Sequence, residues 1–81
     1  MKLRLRFFAS HQEILGAEAM SMEMPDGATV RALFDKLAGE CPALNGLKER
    51  TIVAVNQEQA AWDQKLSDGD EVAFYPPVSG G

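Results

Sequence analysis

The sequence contains little of the chemistry from which active sites are usually built. It has one cysteine, Cys41, and one histidine, His11, so an internal disulfide and a metal site made of several cysteines are excluded. These two residues stand in no arrangement typical of nucleophilic catalysis, and the scattered glycines form no phosphate-binding loop. We expect His11 to be a surface polar residue and Cys41 to behave as a small hydrophobic residue with little thiolate character.

Long apolar runs are also missing. No window approaches the roughly 18 apolar residues that a membrane-spanning helix needs. The N-terminus alternates between apolar and polar residues, whereas a signal peptide has a continuous apolar stretch. We therefore expect a cytoplasmic protein that makes no contact with a membrane.

Positive charge is scarce. Eight Lys and Arg stand against twelve Asp and Glu, a formal net charge of −4, and an acidic domain is not attracted to the phosphates of nucleic acids or of anionic lipids. The only basic cluster is Lys2, Arg4 and Arg6, which alternates with apolar residues and so predicts the solvent face of a strand. We expect no nucleic acid partner.

The sequence does contain enough apolar residues for one folded domain, since 46% of its 81 residues are hydrophobic. Hydrophobic periodicity predicts strands at residues 1–8, 20–24, 51–55, 59–61 and 71–75. One amphipathic helix is predicted from an N-cap at Thr29 to a stop before Pro42. Each element has one apolar side, so this α+β pattern predicts a mixed five-stranded sheet packed on one main helix. In such a sheet the first and last strands can be central neighbours.

Two local features lie between the first two strands. Phe8 falls on the outer face of the first strand, where an exposed aromatic side chain could serve a partner-binding surface. Ser10 and Glu13 form a capping-box pattern that predicts one helical turn, and Gly16 ends it.

The C-terminus is the most unusual part of the chain. The last predicted strand ends at Tyr75, and two prolines follow that cannot supply the N–H groups of a sheet ladder. Residues 76–81 can extend about 20 Å, and a Gly-Gly end can enter a channel that a Cβ would block. We expect a free tail to be mobile because glycines are costly to order, although an ordinary frayed terminus is the alternative. The predicted domain covers residues 1–75, and the predicted tail covers residues 76–81.

The terminal carboxylate of Gly81 is the remaining reactive group. A carboxylate is a poor electrophile at neutral pH and must be activated, for example by adenylation, before sulfur or an amine can attack it. Such a step requires another protein that binds ATP. We therefore expect no cofactor on this chain.

Four segments carry a resemblance to a known family. They are residues 7–9 (Phe-Phe-Ala), 27–30 (Gly-Ala-Thr-Val), 54–57 (Ala-Val-Asn-Gln) and 68–81 (Asp-Gly-Asp-Glu-Val-Ala-Phe-Tyr-Pro-Pro-Val-Ser-Gly-Gly). With them the chain resembles the ubiquitin-like β-grasp sulfur carriers, the family that includes the small subunit of molybdopterin synthase. The resemblance extends over essentially the whole chain, and its C-terminal segment is the most specific part.

The resemblance implies a chemistry for the tail. Gly81 would be adenylated with ATP by a partner that resembles the ubiquitin-activating enzymes, and then converted to a thiocarboxylate with sulfur from the persulfide of a sulfurtransferase. The tail would enter the large subunit of molybdopterin synthase, within a heterotetramer of small and large subunits, and donate sulfur to cyclic pyranopterin monophosphate. The chain would not be catalytic alone.

The same resemblance assigns the site residues. The reacting end is Gly81 with Gly80 before it, and the partner contacts are Phe8, Gln59, Tyr75, Pro76, Pro77, Val78 and Ser79. The family usually has an arginine where Gln12 stands and a larger apolar residue where Gln59 stands, and Ala60 and Ala61 are small for their turn. These departures bear on which partner surface is recognised more than on the tail chemistry.

Three other functions are compatible with the sequence. One is a sulfur carrier for another pathway, such as thiazole synthesis, cysteine synthesis or tRNA thiolation, although the double proline favours the molybdenum branch. Another is a protein modifier whose Gly81 is joined to lysines of its substrates. The third is a plain interaction module with an inert tail.

Overall fold

The structure, a computed structural model, describes residues 1–77. Its elements in chain order are β1 (Lys2–Phe7), α1 (Ser10–Leu15), β2 (Ala19–Glu23), α2 (Val30–Glu40), a 3₁₀ segment (Pro42–Arg50), β3 (Ile52–Val55), β4 (Glu58–Ala60) and β5 (Glu71–Tyr75). The predicted strands and main helix are confirmed, and the 3₁₀ segment replaces a predicted irregular connector. The tail positions Val78, Ser79, Gly80 and Gly81 lie outside the described residues. The expected mobility of the tail and the division between residues 75 and 76 therefore stay predictions.

The strands form one mixed sheet in the order β2-β1-β5-β3-β4. β1 and β5 pair in parallel, with Leu5 opposite Val72, and the other neighbouring pairs are antiparallel. The expected pairing of the first and last strands is thus confirmed. Because β5 is held by β1 on one edge and by β3 on the other, the chain leaves toward its C-terminus from the middle of the sheet.

The core lies between α2 and one face of the sheet. Phe74 on β5 is at its centre, with ring centroids 6.0 Å from Phe7 and 5.9 Å from Phe34 of α2. Burying a side chain of this kind stabilises the fold by about 1.5–3 kcal/mol, which is large beside a net stability of about 4–12 kcal/mol for a domain of this size. The fully buried apolar residues are Leu3, Leu5, Phe7, Val30, Leu33, Phe34, Leu37, Leu44, Val72 and Phe74.

The ends of the two α-helices follow the sequence only in part. Thr29 Oγ1 accepts a hydrogen bond from the N–H of Ala32 (3.2 Å) and caps α2 as predicted. The capping box predicted for α1 is wrong: Ser10 is the first helical residue, and no side chain within residues 1–77 caps this helix. The chain turns out of β1 one residue earlier, at Ala9, whose φ is 51°. Gly16 ends α1 in the left-handed conformation, as predicted.

A tight hairpin joins β3 and β4. Its two turn residues, Asn56 and Gln57, have φ angles of 51° and 72°, as a type I′ turn requires. The Asn56 side chain accepts a hydrogen bond from the N–H of Glu71 (3.0 Å) and donates one to Asp70 Oδ1 (2.9 Å). Asn56 therefore ties the hairpin to the start of β5.

His11 is fully buried, so the expectation of a surface position is wrong. Its Nε2 lies 2.7 Å from Thr51 Oγ1, and the Thr51 hydroxyl donates its own hydrogen to the Leu47 carbonyl (2.7 Å). Nε2 must therefore carry a hydrogen and donate it to Thr51. Nδ1 has no hydrogen-bond partner among the described residues, and desolvation by burial lowers the pKa of His11. In its neutral form, His11 joins α1 to the end of the 3₁₀ segment.

Candidate interaction site

The face of the sheet that points away from the core carries the positions predicted to contact partners. Cross-strand pairing places one residue of each strand in a single row across this face. We call it the central row; from β2 to β4 its members are Ala19, Arg6, Ala73, Ala54 and Gln59. Three of the five are alanines, so the middle of the row has short side chains; Ala54 is buried and Ala73 is half-buried. We call this side of the sheet, opposite α2, the open face.

An aromatic corner, formed by Arg6, Phe8 and Tyr75, stands at one end of this face. Phe8 is 42% exposed and is the one large hydrophobic residue exposed in the part of the chain that is described. Its ring meets Tyr75 edge-on, with centroids 6.4 Å apart, and the Arg6 guanidinium lies 5.5 Å from the centre of the Phe8 ring. The Phe8 N–H donates to the Phe74 carbonyl (3.2 Å), so the β1–β5 ladder extends one residue and fixes the corner beside the end of β5.

The predicted tail, residues 76–81, begins at this corner. β5 ends at Tyr75, as predicted, and is followed by Pro76, which is half-buried, and Pro77, which is exposed. Neither proline has an N–H group to donate, so the ladder cannot continue along them. Of the predicted partner contacts, the structure brings Phe8, Tyr75 and the two prolines together at one end of the sheet.

Gln59 stands apart from that group. It is exposed on β4, at the edge of the sheet, where it lies opposite Ala54. Two strand spacings, about 10 Å, separate β4 from β5. Gln59 therefore lies on the same face of the sheet as the aromatic corner, but on the edge strand β4 and away from that corner.

Sequence reasoning missed several members of this surface. Arg6 was assigned only to the solvent face of a strand, whereas the structure places it over Phe8. Ile52, half-buried opposite Tyr75, and the two alanines Ala54 and Ala73 were not singled out. The alternation of β1 was the available signal, because residues two apart on one strand share a face.

Away from this surface, the described residues contain no cluster that could bind a metal ion. Within residues 1–77 no group of three or more His, Cys, Asp and Glu is placed to hold a metal ion, and none of the helices there has the length and apolar character to cross a membrane. Cys41 is half-buried, and its Sγ donates to the Ile14 carbonyl at 3.6 Å. The described residues therefore place a candidate interaction surface beside the start of the predicted tail, and the predicted reacting residues Gly80 and Gly81 lie outside the described residues.

Comparison with known proteins identifies the family. Residues 5–81 match the ThiS family. A molybdopterin synthase sulfur carrier subunit of Haemophilus influenzae is 40% identical over 81 residues, covering 98% of this chain and 99% of that protein. One of Chlamydomonas reinhardtii is 36% identical over 83 residues and covers both chains completely.

A solved structure agrees with the sequence comparison. The crystal structure of small archaeal modifier protein 1 from Haloferax volcanii superposes with a TM-score of 0.87 at 31% identity, over 100% of both chains. The likeness confirms the predicted ubiquitin-like β-grasp fold. The sequence match over nearly the whole chain and this shared fold agree: the chain belongs to the ThiS family.

Proposed function

We propose that this chain is the sulfur carrier subunit of a molybdopterin synthase and that it acts through its C-terminus. The observation that carries the proposal is where the tail starts: the sequence Pro-Pro-Val-Ser-Gly-Gly follows directly on β5, the strand in the centre of the sheet. The full-length relatives in Haemophilus influenzae and Chlamydomonas reinhardtii, which carry the name molybdopterin synthase sulfur carrier subunit, support the same assignment.

The reacting group in this proposal is the Gly81 carboxylate. An adenylating enzyme that resembles the ubiquitin-activating enzymes uses ATP to convert it into an acyl adenylate. The outer sulfur of a sulfurtransferase persulfide then attacks the acyl adenylate and displaces AMP, which leaves an acyl disulfide. A second thiol of the sulfurtransferase cleaves the S–S bond of this acyl disulfide and forms a disulfide with the first thiol, and the terminus is released as a thiocarboxylate. Gly80 and Gly81 have no side chains, so the terminus fits a narrow channel in each enzyme that charges or discharges it.

The folded body positions this terminus for its partner. The large subunit of molybdopterin synthase docks on the open face of the sheet, against Phe8, Tyr75 and Gln59. Pro76 and Pro77 direct the chain out of the sheet, and Val78 and Ser79 follow them into the large subunit. The thiocarboxylate then donates its sulfur to cyclic pyranopterin monophosphate.

Intact-mass measurement tests the tail chemistry. We expect the chain, co-expressed with the adenylating enzyme and the sulfurtransferase of its own organism, to become heavier by the mass difference between sulfur and oxygen. Deleting Gly81, or adding a C-terminal tag, should abolish the conversion without changing the thermal unfolding transition. Glu40→Gln, an exposed change at the end of α2, should convert like the wild type. A tagged chain that still delivers sulfur would contradict the proposal.

A second candidate is a protein modifier, and the likeness to small archaeal modifier protein 1 of Haloferax volcanii favours it. In that case Gly81 forms an amide with lysines of other proteins instead of a thiocarboxylate. Denaturing blots of cells that contain the chain and its activating enzyme distinguish the two. Ladders of larger covalent products support the modifier, whereas sulfur-loaded free chain without ladders supports the carrier.

A further inference from the structure

The first strand gives the open face of the sheet three cations, although the whole protein is acidic. The chain carries a formal net charge of −4, yet β1 presents Lys2, Arg4 and Arg6 in one exposed line on this face. Neither of the two ion pairs found within residues 1–77 involves these side chains. The face therefore offers unpaired cations to whatever binds it.

Arg6 differs from the other two cations in its neighbours across the sheet. It lies between Ala19 of β2 and Ala73 of β5, and neither of these residues has a side chain that accepts a hydrogen bond or carries a charge. The other two have a carboxylate residue opposite them, Glu23 for Lys2 and Glu71 for Arg4. Arg6 is thus the cation of β1 that has no carboxylate residue directly opposite it on a neighbouring strand.

The aromatic corner holds the Arg6 guanidinium in place. The guanidinium lies 5.5 Å from the centre of the Phe8 ring, and Phe8 is in turn supported edge-on by Tyr75. A guanidinium over an aromatic face keeps its N–H groups available at its edge, and those groups match the two oxygens of a carboxylate. The side chain is therefore partly ordered for bidentate binding before any partner arrives.

Docking on Phe8 changes the surroundings of Arg6. A partner that covers the Phe8 ring also covers the guanidinium above it, and so removes both from water. A charge that is desolvated without a counter-charge opposes binding strongly. Since Ala19 and Ala73 cannot supply that counter-charge, it has to come from the partner.

We propose that Arg6 is the specificity-determining residue of this face and that it binds a carboxylate of the large subunit of molybdopterin synthase. The carboxylate belongs to an Asp or Glu on the part of the large subunit that covers Phe8. This inference rests on the proposed function, which identifies the large subunit as the partner. It adds the chemistry by which that partner is selected.

Calorimetric titration of the intact chain with the large subunit from the same organism tests the inference. Arg6→Met keeps the length of the side chain and removes its charge, and should weaken binding by roughly 30-fold or more. Arg6→Lys, which keeps the charge but loses the planar group, should fall between Arg6→Met and the wild type. Arg4→Met removes a cation from the same strand and face, and should change affinity by less than about threefold. Thermal unfolding confirms that each variant is folded.

The outcomes separate the inference from the proposed function. If the wild-type chain does not bind the large subunit, both are wrong. If it binds but Arg6→Met binds equally well, the proposed function stands and the role of Arg6 is refuted. If Arg4→Met weakens binding as much as Arg6→Met, the attraction is general and the specific carboxylate is refuted. A charge-reversed Asp or Glu on the large subunit that restores binding to Arg6→Glu would support the pair directly.

Discussion

Mild acid should destabilise the fold through His11. The ordinary pKa of 6.5 applies to His11 in the unfolded chain, and burial lowers the pKa in the folded chain. The contribution is therefore fully present above pH 6.5 and is lost as the pH falls from 6.5 toward the folded pKa, because only the unfolded chain then takes up the proton. One proton changes the free energy of unfolding by about 1.4 kcal/mol per pH unit. Between pH 7.5 and 5.5 we expect a loss of up to about 1.4 kcal/mol.

The hydrogen bonds explain why the folded chain resists this proton. Nε2 already donates to Thr51 at 2.7 Å, and the proton would have to go to Nδ1, which has no partner among the described residues. A buried N–H without an acceptor costs about 1–3 kcal/mol, and more when the group is charged. The cost falls on the contact between α1 and the 3₁₀ segment. The backbone N–H of His11 donates to the Phe8 carbonyl (3.1 Å), so a disturbance of α1 also reaches Phe8 on the open face.

Urea unfolding at pH 7.5, 6.5 and 5.5 measures the effect, with the fluorescence of Trp62 as the signal, since its ring meets Phe34 edge-on with centroids 5.3 Å apart. The control is His11→Gln, which can still donate to Thr51 but does not titrate. We expect this variant to be less stable at pH 7.5 and to lose much less of its stability on acidification. Equal losses in the two proteins would refute the reasoning.

Three further substitutions test the fold. Phe74→Ala empties the centre of the core and should lower the free energy of unfolding by about 3–5 kcal/mol. A loss below about 1 kcal/mol in urea unfolding would contradict the central place of Phe74 in the core. Gln57→Gly removes a side chain from a residue with a φ of 72° and should raise the free energy of unfolding by up to about 1 kcal/mol. Asn56→Gly should instead lower the free energy of unfolding, since this substitution removes two hydrogen bonds to the start of β5. If Asn56→Gly proved more stable than Gln57→Gly, the geometry of this turn would be contradicted.

Most of the fold could be predicted because its strands and main helix carry strong local patterns. The alternation of β1 predicts both its buried residues and the outward position of Phe8. Thr29 and Pro42 predict the two ends of α2, since a cap and a proline act within a few residues. The sequence allows the first and last strands to be central neighbours, and the structure shows that β1 and β5 are, with a parallel direction that the sequence pattern did not specify.

The positions that could not be predicted depend on contacts between distant parts of the chain. α1 has six residues, too few to show which side is buried, and the burial of His11 is decided by the 3₁₀ segment packed against it. Thr51, its partner, is 40 residues away in sequence. The contact of Arg6 with Phe8 depends on the rotamers of both side chains, which alternation does not specify. Long-range packing and rotamer choice are therefore what the sequence patterns left open.

The place of β5 within the sheet also decides how the protein responds to force. A force applied at the C-terminus would act along β5, and this strand is hydrogen-bonded to β1 on one side and to β3 on the other. A pull along the strand axis loads the hydrogen bonds of both ladders together in shear, whereas a strand at the edge of the sheet would have a single ladder to resist it. We therefore expect the fold to resist a pull on its C-terminal end better than a fold whose last strand lies at the edge of the sheet.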